Sequence, residues 1–165
     1  MTYKWMESNK QPYLYVEAED NYSLGVGVGK GLNKQITFIH KNIIDMLAKT
    51  GVSKEKLMIL VNEYKKFIPE NYLEEIKGMY DGYKKETNEG IEFDDILLQS
   101  VFINLIYKAK SMLPEITQLM GCTNFGVINS DGTVAHGQNY DADGRLTGGN
   151  AFVHQKLKGE PELFS

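Results

Sequence analysis

Apolar residues recur at three- and four-residue spacing through the first two thirds of the chain, which is the pattern of amphipathic helices. The pattern predicts four helices, of which the first follows the glycine-rich segment 25–31 and the third follows Pro69. Ser53 and Asp94 are the predicted N-caps of the second and fourth. The fourth, over residues 96–108, is apolar on most sides and is predicted to be buried between other layers. The first helix carries Leu32, Ile36, Ile39, Ile43 and Leu47 on one stripe. The second is predicted to place Leu57, Leu60, Val61, Tyr64 and Phe67 inward. The third amphipathic stretch carries Tyr72, Leu73, Ile76, Met79, Tyr80 and Tyr83.

The period of the pattern shortens towards two after residue 120, and this change predicts β-strands. Two strands are predicted over residues 121–128 and 133–136. The turn between them contains Asp131-Gly132, residue types that tolerate the positive φ of a tight hairpin, so we expect the strands to pair antiparallel. One more short strand is predicted over residues 12–17. The predicted fold class is therefore α+β.

Composition places the chain among ordinary globular proteins, with 165 residues, 42% hydrophobic and 11% aromatic. The formal charge of −4 comes from lysines and acids mixed along the whole length, so no basic face is available for nucleic acid. No apolar run approaches the 18 or so residues of a membrane span. A single cysteine excludes an internal disulfide and is typical of a reducing compartment, so a cytoplasmic location is expected.

The chain divides by its hydrophobic pattern into a helical segment 1–121 and a strand-rich segment 122–165.

The glycine-rich segment 25–31 suggests a phosphate-binding loop, but its spacing fits neither standard template. A dinucleotide-binding turn starting at Gly25 would need glycine where Lys30 stands. A phosphate loop needs Ser or Thr after Gly-Lys, and this chain has Gly31 there. The segment is instead predicted to allow close backbone packing at a strand-to-helix junction.

Cys122 has a sequence context suited to nucleophilic chemistry. A free cysteine is often only a small buried hydrophobe. Here, however, the thiol opens a predicted strand and follows Gly121, the least hindered residue, so its sulfur could attack the carbonyl carbon of Gly121. Cleavage would free the α-amino group of Cys122, whose ordinary pKa is about 7.7–8.0. Such an amine can serve as a general base beside the sulfur.

Four segments, in chain order, resemble the acyl-CoA:6-aminopenicillanic acid acyltransferase (isopenicillin N acyltransferase-like) family of N-terminal-nucleophile (Ntn) hydrolases. Gly-Cys-Thr at 121–123 matches the family's processing site, and Gly-Gln-Asn-Tyr-Asp at 137–141 resembles its Gly-Gln-Asn-aromatic-Asp segment. Tyr22, followed by Gly25 and Gly29 before Leu32, resembles the start of an early helix of the family, which has a Gly-x-x-x-Gly pattern. Residues 90–97 resemble the start of the family's buried helix. The resemblance thus spans nearly the whole chain.

The resemblance implies an αββα sandwich whose precursor cuts itself before Cys122 and leaves the preceding residues as a smaller subunit. The thiolate of Cys122 would then attack a small acyl amide or acyl thioester, with the freed amine as base. In the related bile-salt hydrolases an Arg-Asn-aromatic-Asp segment occupies the place of residues 138–141, and its Asp contacts the nucleophile's amino group. By analogy Asp141 would orient the amine, and Thr123, Gln138 and Asn139 would support the site. The implied chemistry needs no cofactor. His40 and His154 have no partner at metal-ligand spacing, so no metal site is expected.

Alternative roles stay open for Asp141 and Asn139, and an alternative base is available in His136. Asp141 could be a turn-forming carboxylate, and Asn139 could stabilise the hairpin backbone instead of touching substrate. His136, on the second predicted strand, could act as base, although a free N-terminal amine makes a histidine unnecessary.

The segment 122–165 is too short to build the two sheets of the implied sandwich, so the chain is expected to be truncated at its C-terminus. Three explanations compete: a truncated gene product, a fragment completed by a second chain, and a shortened homologue without activity. The last would be a noncatalytic binding or structural module of the same fold. An open sheet edge could also pair with a second copy of the chain.

Overall fold

The computed structural model describes residues 1–50, 53–109, 120–142 and 148–164. Helices and strands are both present, so the predicted mixture of α and β structure is confirmed. In chain order the elements are β1 Thr2–Ser8, β2 Gln11–Ala18, α1 Asn21–Gly31, α2 Asn33–Thr50, α3 Lys54–Lys65, α4 Glu70–Glu86, α5 Phe93–Ala109, β3 Met120–Ile128, β4 Val134–Ala142, β5 Phe152–Leu157 and β6 Leu163–Phe164.

The larger sheet has the strand order β1-β2-β5-β6. β1 and β2 form an antiparallel hairpin whose turn holds Asn9 and Lys10 at φ 49° and 64°. β2 then pairs in parallel with β5, from Tyr13 opposite Phe152 to Ala18 opposite Leu157. The strand expected over residues 12–17 is confirmed as β2, whereas β1 was not predicted. The division of the chain at residues 121 and 122 stays a prediction, and the β2–β5 pairing joins the two predicted segments in one sheet.

Two apolar clusters form the core of the part of the chain that the structure describes. One lies between the larger sheet and α1 and contains Leu14, Val16, Ala18, Leu24, Val28 and Val153. The other surrounds α5, where Ile96, Leu97 and Leu98 are at most 1% exposed. The prediction that this helix is buried is therefore confirmed. Within the described residues, no helix is both long and apolar enough to cross a membrane.

Helices α1 and α4 touch backbone to backbone through glycines. They run parallel, because Tyr22 lies beside Gly78 and Val26 lies beside Gly82, one turn further along both helices. A Cβ at Gly25, Gly29, Gly78 or Gly82 would lie less than 3.0 Å from a backbone oxygen of the other helix. The glycine-rich segment therefore lies inside α1 and not at a strand-to-helix junction, although its predicted role in close backbone packing holds.

Three local predictions about helix ends and helix faces can be compared with the structure. Ser53 is the N-cap of α3, and its side chain accepts a hydrogen bond from the Lys56 backbone N–H, as predicted. The N-cap prediction for Asp94 is wrong because α5 begins at Phe93, so Asp94 lies in its first turn. The inward placement of Phe67 is also wrong, since α3 ends before it and its side chain is 82% exposed.

The second, two-stranded sheet is the hairpin of β3 and β4. Asn129 N–H donates to the Thr133 carbonyl at 2.8 Å, and Gly132 has φ 82° at the turn. Asp131 accepts a hydrogen bond from the Thr133 backbone N–H at 2.9 Å, which fixes the turn. The predicted antiparallel hairpin is confirmed, and its second strand continues to Ala142, beyond the predicted end at residue 136.

Candidate functional site

The β3–β4 register brings the residues predicted for the site into four adjacent cross-strand pairs. Gly121 lies opposite Asp141 and Cys122 lies opposite Tyr140. The next two pairs are Thr123 with Asn139 and Asn124 with Gln138. Directly opposed residues of an antiparallel pair have Cα atoms about 4.5–5.5 Å apart. The structure therefore assembles the backbone of all six predicted site residues at the end of the hairpin far from its turn.

The peptide bond between Gly121 and Cys122 lies beside the peptide bond between Tyr140 and Asp141, because these are consecutive cross-strand pairs. Asp141 lies within β4, a strand that runs to Ala142. The alternative role for Asp141 in a turn involves residues 143–144, which lie outside the described residues. Because Asp141 pairs with Gly121, its backbone is adjacent to the proposed cleavage point.

His136 occupies a different part of the hairpin. It lies opposite Gly126, four pairs away from the pair that contains Cys122. At about 3.3 Å per residue the separation along the strand is about 13 Å. This backbone distance disfavours His136 as the base for the thiol.

The turn end of the hairpin is exposed. Val127, Ile128 and Val134 are 48%, 78% and 71% exposed, and all the other residues from 126 to 134 are exposed as well. Apolar side chains on a β-ribbon usually need a covering layer. The hairpin therefore carries an apolar surface at the opposite end from the predicted site.

A second polar cluster, which sequence reasoning missed, lies where α2, α3 and α5 meet. We call His40, Lys54 and Asp95 the Asp95 cluster. The Asp95 side chain is only 4% exposed; its Oδ2 accepts from the Glu92 backbone N–H at 3.0 Å, and its Oδ1 forms an ion pair with the Lys54 ammonium. His40 Nδ1 lies 4.0 Å from Oδ1 and, among the described residues, has no hydrogen-bond partner. Asp95 lies three residues after Glu92, which is the spacing of a capping box, but Glu92 is not a typical N-cap residue and the sequence signal is therefore weak.

Burial is the main cause that lowers the pKa of His40. The positive charges of Lys54 and Lys41 lower it further, while the negative charge of Asp95 opposes them. The imidazole is therefore held neutral over more of the acidic range than an exposed histidine would be.

A groove of about 360 Å³ lies where the N-termini of α1 and α4 meet the β5–β6 connection. Glu75 lies in this groove, and its pKa is raised by burial, with a smaller opposing effect from the hydrogen bond that Gln155 donates at 3.2 Å. Glu160 and Glu162 also line the groove. Helix N-termini carry partial positive charge, so these carboxylates complement the two parallel helices.

No cluster of three or more His, Cys, Asp or Glu side chains in the described part of the chain could hold a metal ion. No protein-family model, curated protein or solved structure matches the chain.

Proposed function

We propose that the chain carries the nucleophile of an autoprocessing cysteine acyltransferase or amidohydrolase, built on an Ntn-type αββα sandwich. The observation that supports the proposal most directly is the backbone register of β3 and β4, which aligns the Gly121–Cys122 peptide with the Tyr140–Asp141 peptide. A hairpin with the nucleophile at the start of one strand and the orienting carboxylate at the end of the next needs this register. The proposed substrates are small acyl amides or acyl thioesters, and the proposed location is the cytoplasm.

Self-cleavage would proceed in two balanced steps. The Cys122 sulfur attacks the Gly121 carbonyl carbon, the C–N bond breaks, and the nitrogen takes up the thiol proton. The product is a thioester between Gly121 and the Cys122 side chain, with a free α-amino group on Cys122. Water then hydrolyses the thioester, leaving a carboxylate on Gly121 and a free thiol on Cys122. Glycine suits this position because it places no side chain in the path of the sulfur.

In the mature protein the α-amino group of Cys122 would accept the thiol proton as the thiolate attacks the substrate carbonyl. The amine returns that proton to the leaving amine or thiol, and water or a second amine then takes the acyl group from the sulfur. Asp141 would orient the amine and stabilise its protonated form through opposite charge. The cross-strand pairing of Gly121 with Asp141 supports this role, since it puts their backbones side by side.

A noncatalytic binding module is the second candidate, and one observation favours it. The face of the larger sheet opposite α1 carries a group of aromatic rings in which Phe152 and Phe164 are 46% and 59% exposed. Tyr13 and His154 pack against Phe164 in the same group. Exposed aromatic surface is common at binding faces. Under this reading Cys122 would be chemically inert.

Intact mass and N-terminal sequencing of the purified chain test the proposal. We expect two pieces, residues 1–121 and 122–165, with cysteine at the new N-terminus. We also expect the mature thiol to be labelled by an acyl probe that targets nucleophilic cysteines. A folded chain that stays uncut and unlabelled over days at pH 7–8 would support the binding module and remove the proposed enzyme.

Asp141→Asn is expected to slow acyl transfer by about 10²-fold or more without unfolding the chain, because a neutral amide cannot stabilise the protonated amine. The rate of acyl-probe labelling in matured protein measures the effect, and the melting temperature serves as the folding control. An isosteric substitution keeps the strand intact, so a labelling rate equal to that of the unsubstituted protein would remove Asp141 from the mechanism.

A further inference from the structure

The Asp95 cluster contains two potential cations and one buried carboxylate. Lys54 already pairs with Asp95 Oδ1, although its side chain is 42% exposed and can reach solvent. The His40 side chain is only 17% exposed, and its Nδ1 lies 4.0 Å from the same oxygen, beyond hydrogen-bond distance. Gln99 Nε2, one helical turn after Asp95, is buried and also lacks a hydrogen-bond partner among the described residues. The cluster is therefore incompletely paired in the present arrangement.

Asp95 also connects two helices. Its Oδ2 fixes the start of α5 through the Glu92 backbone N–H, and its ion pair with Lys54 attaches the first turn of α3 to α5. Other contacts of α3 lie further along the helix: Leu57 and Val61 are buried, and the Lys65 ammonium lies 5.5 Å from the centre of the Phe93 ring. Loss of the Lys54 contact would therefore loosen the first turn of α3 while the rest of the helix stays attached.

We propose that Lys54 and protonated His40 compete for the carboxylate of Asp95, so that acidification moves Asp95 from Lys54 to His40 and releases the first turn of α3. At neutral pH the His40 ring is uncharged and does not attract the Asp95 carboxylate, so the carboxylate stays paired with Lys54. Once protonated, the imidazolium donates to Asp95 Oδ1 over a short side-chain movement. Lys54 then moves to solvent, because two cations at one buried oxygen repel each other.

The charged groups that face His40 among the described residues come from three helices. They are Asp95 from α5, Lys54 from α3, and Lys41 from α2, and Lys41 is paired with Glu89 at 3.7 Å. The folded-state pKa of His40 lies below its ordinary value of 6.5, because burial disfavours the charged ring. Unfolded chains therefore bind the proton more readily, so stability is fully present above about pH 6.5 and falls as the pH decreases towards the folded-state pKa.

Lys54→Gln tests the competition without disturbing the core. NMR titration of the His40 ring is expected to give a pKa at least about half a unit higher in Lys54→Gln than in the unsubstituted protein, because the competing cation is gone. His40→Gln identifies the His40 signal among the three histidines. Lys41→Gln is the matched control, since Lys41 also repels the imidazolium but pairs with Glu89 and not with Asp95. We expect a smaller shift there.

Amide hydrogen exchange tests the release of α3. After correction for the intrinsic pH dependence, protection of amides 57–59 is expected to fall about tenfold or more between pH 7.5 and pH 5, while amides 62–65 change less. His40→Gln should abolish this difference between the two halves of the helix. An unchanged His40 pKa in Lys54→Gln would overturn the proposal, and so would the same pH-dependent loss of protection in His40→Gln.

Discussion

Gly29→Ala is expected to destabilise the protein by about 2 kcal/mol, even though alanine is the better helix former. A Cβ at Gly29 would overlap the carbonyl oxygen of Met79, a backbone atom that cannot rotate away. The two helices would have to separate along their whole contact, and overpacking of this kind typically costs about 1–3 kcal/mol, occasionally more. The gain in helix propensity returns at most about 1 kcal/mol. Thermal unfolding should show a fall in melting temperature of roughly 4–8 °C.

Two glycine variants serve as controls for this prediction. Gly90→Ala should leave the melting temperature nearly unchanged, since nothing lies within 4 Å of the added methyl group. Gly27→Ala lies in the same helix but meets the side chains of Val16 and Met1, so we expect a smaller loss than at Gly29. Gly29→Ala combined with Gly78→Ala should cost less than the sum of the single variants, because the first substitution already separates the helices. Equal stability of Gly29→Ala and Gly90→Ala would contradict the close contact of α1 and α4.

Cys122→Ala is expected to abolish cleavage between residues 121 and 122, leaving a single species of full mass. The chain has no other cysteine, so no neighbouring thiol can replace the missing nucleophile. Cys122→Ser should cut at least about tenfold more slowly, because a hydroxyl near neutral pH is a weaker nucleophile than a partly ionised thiol. Intact mass over a time course measures both variants.

His136→Gln is the matched control within the same hairpin. Its backbone lies four cross-strand pairs from Cys122, so we expect cleavage at the rate of the unsubstituted protein. Cleavage that continues in Cys122→Ala would mean an external protease and would remove the proposed nucleophile. Loss of cleavage in folded His136→Gln would instead assign the base to the histidine.

Local patterns along the sequence predicted much of the secondary structure. The Ser53 cap, the buried α5 and the Asp131-Gly132 turn each depend on residues within a few positions of one another. β1 was not predicted, because polar and aromatic residues alternate only from Thr2 to Trp5 and Met6 then interrupts the pattern of a half-buried strand. The backbone hydrogen bonds between β1 and β2 hold β1 in the sheet.

Contacts between distant segments account for most of what the sequence did not predict. Glycines favour loops by propensity, but in α1 they are required by the backbone of α4, some 50 residues later. The sequence does not predict the Asp95 cluster, because His40 and Asp95 are 55 residues apart and come together only through helix packing. For the candidate site, the turn predicted an antiparallel hairpin, but the predicted second strand ended at residue 136, so the cross-strand pairing of Gly121 with Asp141 was not predicted.

The parallel pairing of β2 with β5 also has a consequence during synthesis. Residues 13–18 leave the ribosome long before residues 152–157, their hydrogen-bonded neighbours. At roughly 5–20 residues per second, the delay is roughly 7–27 seconds. Throughout that time the nascent β1–β2 hairpin presents an unpaired edge, which is the kind of surface that recruits other unfinished chains. Slower translation of the intervening helices should therefore increase aggregation of newly made protein.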